Sequence, residues 1–242
     1  MKNVALITGG SRGIGAATAL RLARDGADVA ITYVNDARAA AEVIGEVEAL
    51  GRRALAVRAD AGVAADAVAA VEETVRGLGR LDVLVNNAGV GVLGPLDGLE
   101  LHDVDRVLAV NVRGAFLAAQ AAAGRMGPGG RIITVGSCMT QRVPGPGGTL
   151  YAMSKAALSG LTKALARELG ERGITANLVH PGPVDTDMNP ADGPYAVPQS
   201  ALTALGRFGR PEEVAAMVSF LAGADAGYVT GAEFSVDGGH AA

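Results

Sequence analysis

The chain has 242 residues, about half of them apolar but only 3% aromatic, and a formal charge of −4 with acidic and basic residues interspersed. That length allows one α/β domain or two small ones with a core of Ala, Val, Leu and Ile, and the absence of a basic stripe argues against a nucleic-acid partner. The single cysteine, Cys138, excludes an intrachain disulfide and suits a reducing compartment, and no apolar run approaches the roughly 18 residues that span a bilayer, so no membrane partner is expected.

Strand-like sequence begins at once, in "KNVALIT", so no leader peptide is expected and a cytoplasmic location is. Apolar, β-branched runs predict strands at 4–8, 28–33, 53–59, 81–86, 130–136, 174–180 and 232–237. Ala-rich stretches of helical period predict helices over 13–25, 36–50, 63–78, 102–124, 152–171 and 211–223. In the last, Pro211 suits a first helical position, and Glu212 and Glu213 suit the first turn.

The strands read as continuous apolar runs, which indicates a parallel sheet covered on both faces. Because the β-α unit repeats to the end, residues 1–242 are expected to form a single doubly wound α/β domain. An open sheet of another topology is the alternative. The segment 181–200, "PGPVDTDMNPADGPYAVPQS", is rich in Pro, Asp and Gly. A loop this long in a compact domain is more often functional than filler, and a substrate lid is expected at about 187–206.

Between the first strand and first helix lies "TGGSRGIG", 8–15. Helix N-termini present unpaired N–H groups and a partial positive charge, so they suit phosphate, and glycines let backbone approach it. Gly9, Gly13 and Gly15, with Ser11, Arg12 and Ile14 between them, form such a turn. The run Gly9-Gly10-Ser11-Arg12-Gly13 also matches a hydrolase nucleophile elbow, but such elbows normally follow several strands and need a histidine and an acid. A dinucleotide site for NAD usually has an acid at the end of the second strand to grip the ribose. Here Tyr33, Val34 and Asn35 stand there and Asp36 arrives late, while Arg12 can pair with a 2′-phosphate. NADP(H) is therefore expected over NAD(H).

Together with "NNAG" (86–89), "VNVRGAF" (110–116), "GS" (136–137), "YAMSK" (151–155), "HPGPVDT" (180–186) and "VTGAEFSVDGG" (229–239), this turn makes the chain resemble the short-chain dehydrogenases/reductases over nearly its whole length. Within that family it looks most similar to the 3-oxoacyl-carrier-protein reductase-like branch. The resemblance implies a single-domain Rossmann-like sandwich with a seven-stranded parallel sheet, a homo-oligomer (tetramer over dimer), and interconversion of a ketone and a secondary alcohol. It implies Tyr151 as general acid/base, Lys155 as its assistant and ribose ligand, and Asn111 as support for a proton relay. Asn86 or Asn87 with Ala88 and Gly89 would line the adenosine side, Asp60 and Ala61 would meet the adenine, and Pro181, Gly182, Val184 and Thr186 would meet the nicotinamide amide.

The chemistry needs a proton donor and a hydrogen-bond donor where hydride addition leaves charge on a carbonyl oxygen. Tyr151 and Lys155, spaced i, i+4, share a helix face, and a nearby ammonium together with a positively charged oxidised nicotinamide is expected to lower the phenol's pKa. The second donor is ambiguous, since Cys138 lies thirteen positions before Tyr151 and Ser137 fourteen. Ser137 follows the strand "RIITVG" directly, and a hydroxyl is the stronger donor, so Ser137 is assigned and Cys138 is read as a packed residue. His180 is read as a strand-end packing residue.

The pocket should be walled by 138–147, the lid and Leu93. Met139, Val143, Met188 and Tyr195 would make it largely apolar, with Gln141 and Arg142 as polar contacts. The apolar faces of helices 102–124 and 152–171 suggest subunit contacts.

Overall fold

The computed structural model describes residues 3–242. Seven strands form one all-parallel sheet: β1 (Val4–Ile7), β2 (Asp28–Tyr33), β3 (Ala54–Arg58), β4 (Val83–Asn86), β5 (Arg131–Val135), β6 (Thr175–Pro181) and β7 (Glu233–Val236). Their order is β3-β2-β1-β4-β5-β6-β7. The chain thus reverses its direction of travel between β1 and β4, and a crevice opens where such reversals occur, beyond the carboxyl ends of the strands. All the predicted strands form, within two residues at either end.

Side chains alternate between the two faces of each strand. Ile7, Ile31, Val85 and Ile133 face one core with α1 (Gly13–Arg24), α2 (Ala37–Ala49) and α8 (Pro211–Ala222). Leu6, Ala30, Leu84 and Ile132 face a second core with α3 (Ala64–Leu78), α5 (Ala115–Arg125) and α6 (Thr149–Leu169). Both faces being dry explains why the strands read as unbroken apolar runs.

The helix expected over 102–124 is not uniform. It runs as α4 (Leu101–Leu108), a stretch of wider π turns (Ala109–Gly114) and α5. Here Arg113 Nη2 donates to the Gly62 carbonyl at 2.6 Å, and a Cβ on Gly114 would lie 2.2 Å from the Ala61 oxygen. The helix opens where the loop after β3 presses into it. By length and composition Leu101–Arg125 would suffice to cross a membrane, contrary to the reading of the sequence, but half of its apolar window is buried in the protein. The lid region also contains an unexpected short helix, α7 (Ala196–Ala201).

Glycines at 114 and 45 should respond oppositely to alanine. Gly114→Ala meets backbone and is expected to cost about 2 kcal/mol, whereas Gly45, in α2 with open space beside it, should gain roughly 0.5–1 kcal/mol. Thermal melts of both variants check this, and equal shifts would contradict it.

Candidate functional site

The glycine turn after β1 is held by hydrogen bonds from β2 and from the loop after β4, most of them made by side chains to its main chain. Gly9 N–H donates to Thr32 Oγ1 and Gly10 N–H to the Thr32 carbonyl, both at 2.9 Å. Gly9 and Gly13 have φ of +64° and +53°, which favour glycine, and a Cβ on Gly15 would lie 2.3 Å from the Gly9 oxygen. Asn87 Nδ2 donates to the Thr8 and Gly9 carbonyls at 2.9 and 3.0 Å, while Thr8 Oγ1 accepts the Asn87 and Ala88 N–H groups. Asn87, not Asn86, therefore ties β4 to the turn. Asn86 is buried and donates instead to the Ala115 carbonyl. Thr8 and Thr32 were missed from sequence, since their partners lie on other strands.

The start of α1 has no side-chain cap and no acidic residue in its first turn, which leaves its N–H groups for an anion. Arg12 precedes it, 65% exposed, 3.6 Å from Asp187 at the start of the lid. Asp36 is not free to grip a ribose, because its carboxylate caps α2 by accepting the Ala39 N–H at 2.9 Å. Tyr33 packs partly buried against the core, and Asn35 is exposed. Asp60 is a turn former: it accepts the Gly62 N–H at 2.7 Å and pairs with Arg106 at 3.1 Å. These residues fit an NADP-type dinucleotide, with a small-residue cradle, an uncapped helix and a guanidinium at one place.

At the far side of the crevice, α6 begins at Thr149 and carries Tyr151 in its first turn. Lys155 Nζ sits 5.9 Å from the Tyr151 ring centroid, only 4% exposed, and donates to the Val135 carbonyl at 3.0 Å. The last β4–β5 pair is Asn86 with Thr134, so the ammonium takes a carbonyl beyond the end of that ladder. Gly89 leaves room for it: a Cβ there would lie 3.2 Å from Nζ. Asn111, in the π turns, accepts the Val90 N–H and donates to the Val90 carbonyl, each at 2.9 Å, and also donates to Ser154 Oγ at 2.9 Å. Its side chain clamps the loop after β4 onto α6. Ser154, fully buried, was not singled out from sequence.

Ser137 follows β5 and is 6% exposed. Burial pushes the Tyr151 phenol above its usual pKa, opposed by a hydrogen bond with Ser137, and Cys138 adds to the rise. The lowering expected from the ammonium is therefore not the state of the free chain, where burial sets the direction. Burial also lowers Lys155 to about 8 and, with the Asp237 charge, raises the Cys138 thiol to about 11. Gly182 is forced by close approach of the last strand, since a Cβ would lie 2.6 Å from Asp237 Cα. Val184 is buried in the core, Pro181 ends β6, and a Cβ on Gly13 would lie 3.2 Å from Thr186 Cγ2.

The two polar contacts expected for substrate are occupied: Gln141 Oε1 accepts from Ser235 and Arg142 donates to the His240 carbonyl. Neither His102 nor His180 is free to serve as the base of the elbow reading. His102 meets Glu100 and Asp103, and His180 meets Ser137, Thr140 and Glu233.

A family model described as enoyl-(acyl carrier protein) reductase matches residues 9–241. With this sheet order and glycine turn, the chain belongs to the short-chain dehydrogenase/reductase family. A short-chain dehydrogenase from Burkholderia cenocepacia J2315 in complex with NADP superposes with a TM-score of 0.98 at 53% identity, covering 100% of this chain and 98% of that one. The cyclic-di-GMP-binding biofilm dispersal mediator protein of Escherichia coli K12 is 46% identical over 96% of this chain and 94% of its own. A 3-oxoacyl-[acyl-carrier-protein] reductase of Synechocystis is 41% identical over 98% and 96%.

The buried lysine gives a pH-dependent expectation. A pKa of about 8 against an ordinary 10.5 corresponds to a burial cost of roughly 3 kcal/mol. The unfolded chain binds the extra proton between those values, so the cost is complete below about pH 8 and fades as pH rises toward 10.5. Lys155→Met should thus stabilise the cofactor-free protein at pH 7 by about 1–2 kcal/mol after losing one hydrogen bond, with a smaller gain at pH 10. A melting temperature that falls at pH 7 would contradict this.

Proposed function

We propose that the protein is an NADP(H)-dependent oxidoreductase interconverting a ketone and a secondary alcohol. The observation that carries this is the convergence of Ser137, Tyr151 and Lys155 at the carboxyl ends of the strands, across the crevice from an uncapped helix with a guanidinium beside it. Gly9, Ser11, Gly13, Ile14 and Gly15 would cradle the pyrophosphate, Arg12 the 2′-phosphate, Asn87, Ala88 and Gly89 the adenosine side, and Pro181, Gly182, Val184 and Thr186 the amide end. A reduced nicotinamide supplies the hydride when bound.

The chain's own residues handle the oxygen. Tyr151, kept protonated by burial, donates its proton to the carbonyl oxygen as charge develops there, and Ser137 donates a hydrogen bond to the same atom. Lys155 beside the ring favours the phenolate that remains, and Asn111 supports reprotonation by holding the loop after β4 against α6. In the oxidative direction Tyr151 must first lose its proton, which burial opposes.

An apolar ketone is favoured, since Leu93, Val143, Met188 and Tyr195, expected to wall the pocket, are exposed. The flanking segments carry both signs, with Asp97, Glu100, Asp185, Asp187 and Asp192 exposed and Arg12, Arg106, Arg142 and Arg207 exposed as well. A second reading, a nucleotide-binding regulator with little turnover, is favoured by the binding named for the Escherichia coli relative. We also assign a homo-oligomer, tetramer over dimer, on the exposed Phe116 and Met153; a monomer by light scattering at micromolar concentration would remove it.

NADPH consumption with a panel of ketones tests the reading. Tyr151→Phe is expected to lower kcat by about 10²–10⁴, Ser137→Ala by about 10²–10³, and Cys138→Ala barely. Arg12→Ala should weaken NADPH roughly 10–100-fold and NADH little. Turnover surviving Tyr151→Phe would overturn the mechanism, and no turnover on any ketone would favour the regulator.

A further inference from the structure

Ser137 is tethered at three atoms. Its N–H donates to His180 Nδ1 at 3.3 Å, its carbonyl accepts the Thr140 hydroxyl at 2.9 Å, and its Oγ accepts the Met139 N–H at 3.2 Å. Nδ1 also lies 3.2 Å from Thr140 Oγ1, a contact that either tautomer can make, but the Ser137 N–H only donates and so selects a bare Nδ1 with the proton on Nε2. Nε2 lies 3.0 Å from Glu233 Oε2, on the edge strand β7. Glu233 also accepts from Ser159 Oγ at 3.1 Å and pairs with Lys163 at 2.9 Å. Both belong to α6, the helix that carries Tyr151 and Lys155. A chain of polar contacts thus links the loop of Ser137 to the helix of Tyr151 through β6 and β7.

We propose that His180, its tautomer set by Glu233, is a positioning residue that holds the Ser137 backbone so that the hydroxyl meets the Tyr151 phenol and the reacting oxygen. This rests on the ketone-reducing role of Ser137 and Tyr151. The opposite tautomer would aim one N–H at another, cost the Ser137 bond and release one tether. Burial works against the charge on Glu233, yet hydrogen bonds from Lys163, His180 and Ser159 outweigh it and hold the carboxyl at about 2, so it stays an acceptor. Other contacts agree with a fixed ring. His180 is fully buried, and a Cβ on Gly136 would lie 2.7 Å from Nδ1, so the residue before Ser137 is glycine to admit the imidazole.

Two amides separate the two ends of the ring. Asn places an acceptor near the Nδ1 position, whereas Gln places its amide near Nε2 and leaves Ser137 N–H without a partner. His180→Gln is expected to lower kcat about 10-fold or more with KM and NADPH affinity nearly unchanged, while His180→Asn stays within about 3-fold of the parent. Equal losses in the Asn and Gln variants, tracking equal losses in melting temperature, would overturn positioning. If neither variant folds, long-range ¹H–¹⁵N spectra of the unaltered protein still decide: a bare Nδ1 and protonated Nε2 are expected, and a protonated Nδ1 overturns the proposal. Ser137→Ala run in parallel separates the two ideas, since full activity there refutes the reading of the site and leaves the tautomer result standing.

Discussion

The buried ammonium of Lys155, bonded to the Val135 carbonyl at 3.0 Å, is the contact on which the arrangement of the crevice depends. It joins α6 to the end of β5 beyond the point where β4 stops pairing, at the expense of desolvating a charge. The loop after β4 runs toward the glycine turn, where Asn87 bonds the carbonyls of Thr8 and Gly9. A hydrophobic residue at 155 would satisfy the core better, and would leave the strand end, the loop and the phenol without their common neighbour. Stability is given up locally so that a cation stands beside Tyr151.

Around that contact the site is assembled mainly by backbone. Thr8, Thr32, Asn87 and Asn111 all spend their side chains on main-chain groups of other segments. Most of what approaches the crevice is consequently N–H, C=O or the space left by a missing Cβ. This suits a ligand with phosphates and an amide, which are recognised by backbone at little entropic cost. Selectivity is left to few side chains, Arg12 among them, because Asp36 is already committed to capping α2.

The sheet was legible because parallel strands buried on both faces have no polar interruptions, and β1 to β7 each read as such a run. Tyr151 and Lys155 were legible through helical spacing, and Ser137 through its place at a strand end, although Cys138 competed by distance from Tyr151. What the sequence hid depends on contacts between distant segments. The π turns at Ala109–Gly114 arise where the loop after β3 meets Gly114, and nothing in "AVNVRG" announces them. The rise of the tyrosine's pKa in the cofactor-free chain was hidden for a similar reason: spacing reveals an ammonium nearby but not how deeply both groups lie. His180 looked like a packing residue because its partners, Ser137 and Glu233, lie 43 and 53 positions away.

The closeness of Gly136 to His180 also constrains how this part of the chain can change over evolutionary time. An imidazole at 180 and any side chain at 136 exclude each other on this backbone, since a Cβ would stand 2.7 Å from Nδ1. Neither position can drift alone toward a larger pair: 180 must shrink before 136 can grow. The two should therefore covary among descendants of this sequence, and a lineage that loses the histidine still has to move Leu178, whose Cδ1 would lie 3.2 Å from a Cβ at 136.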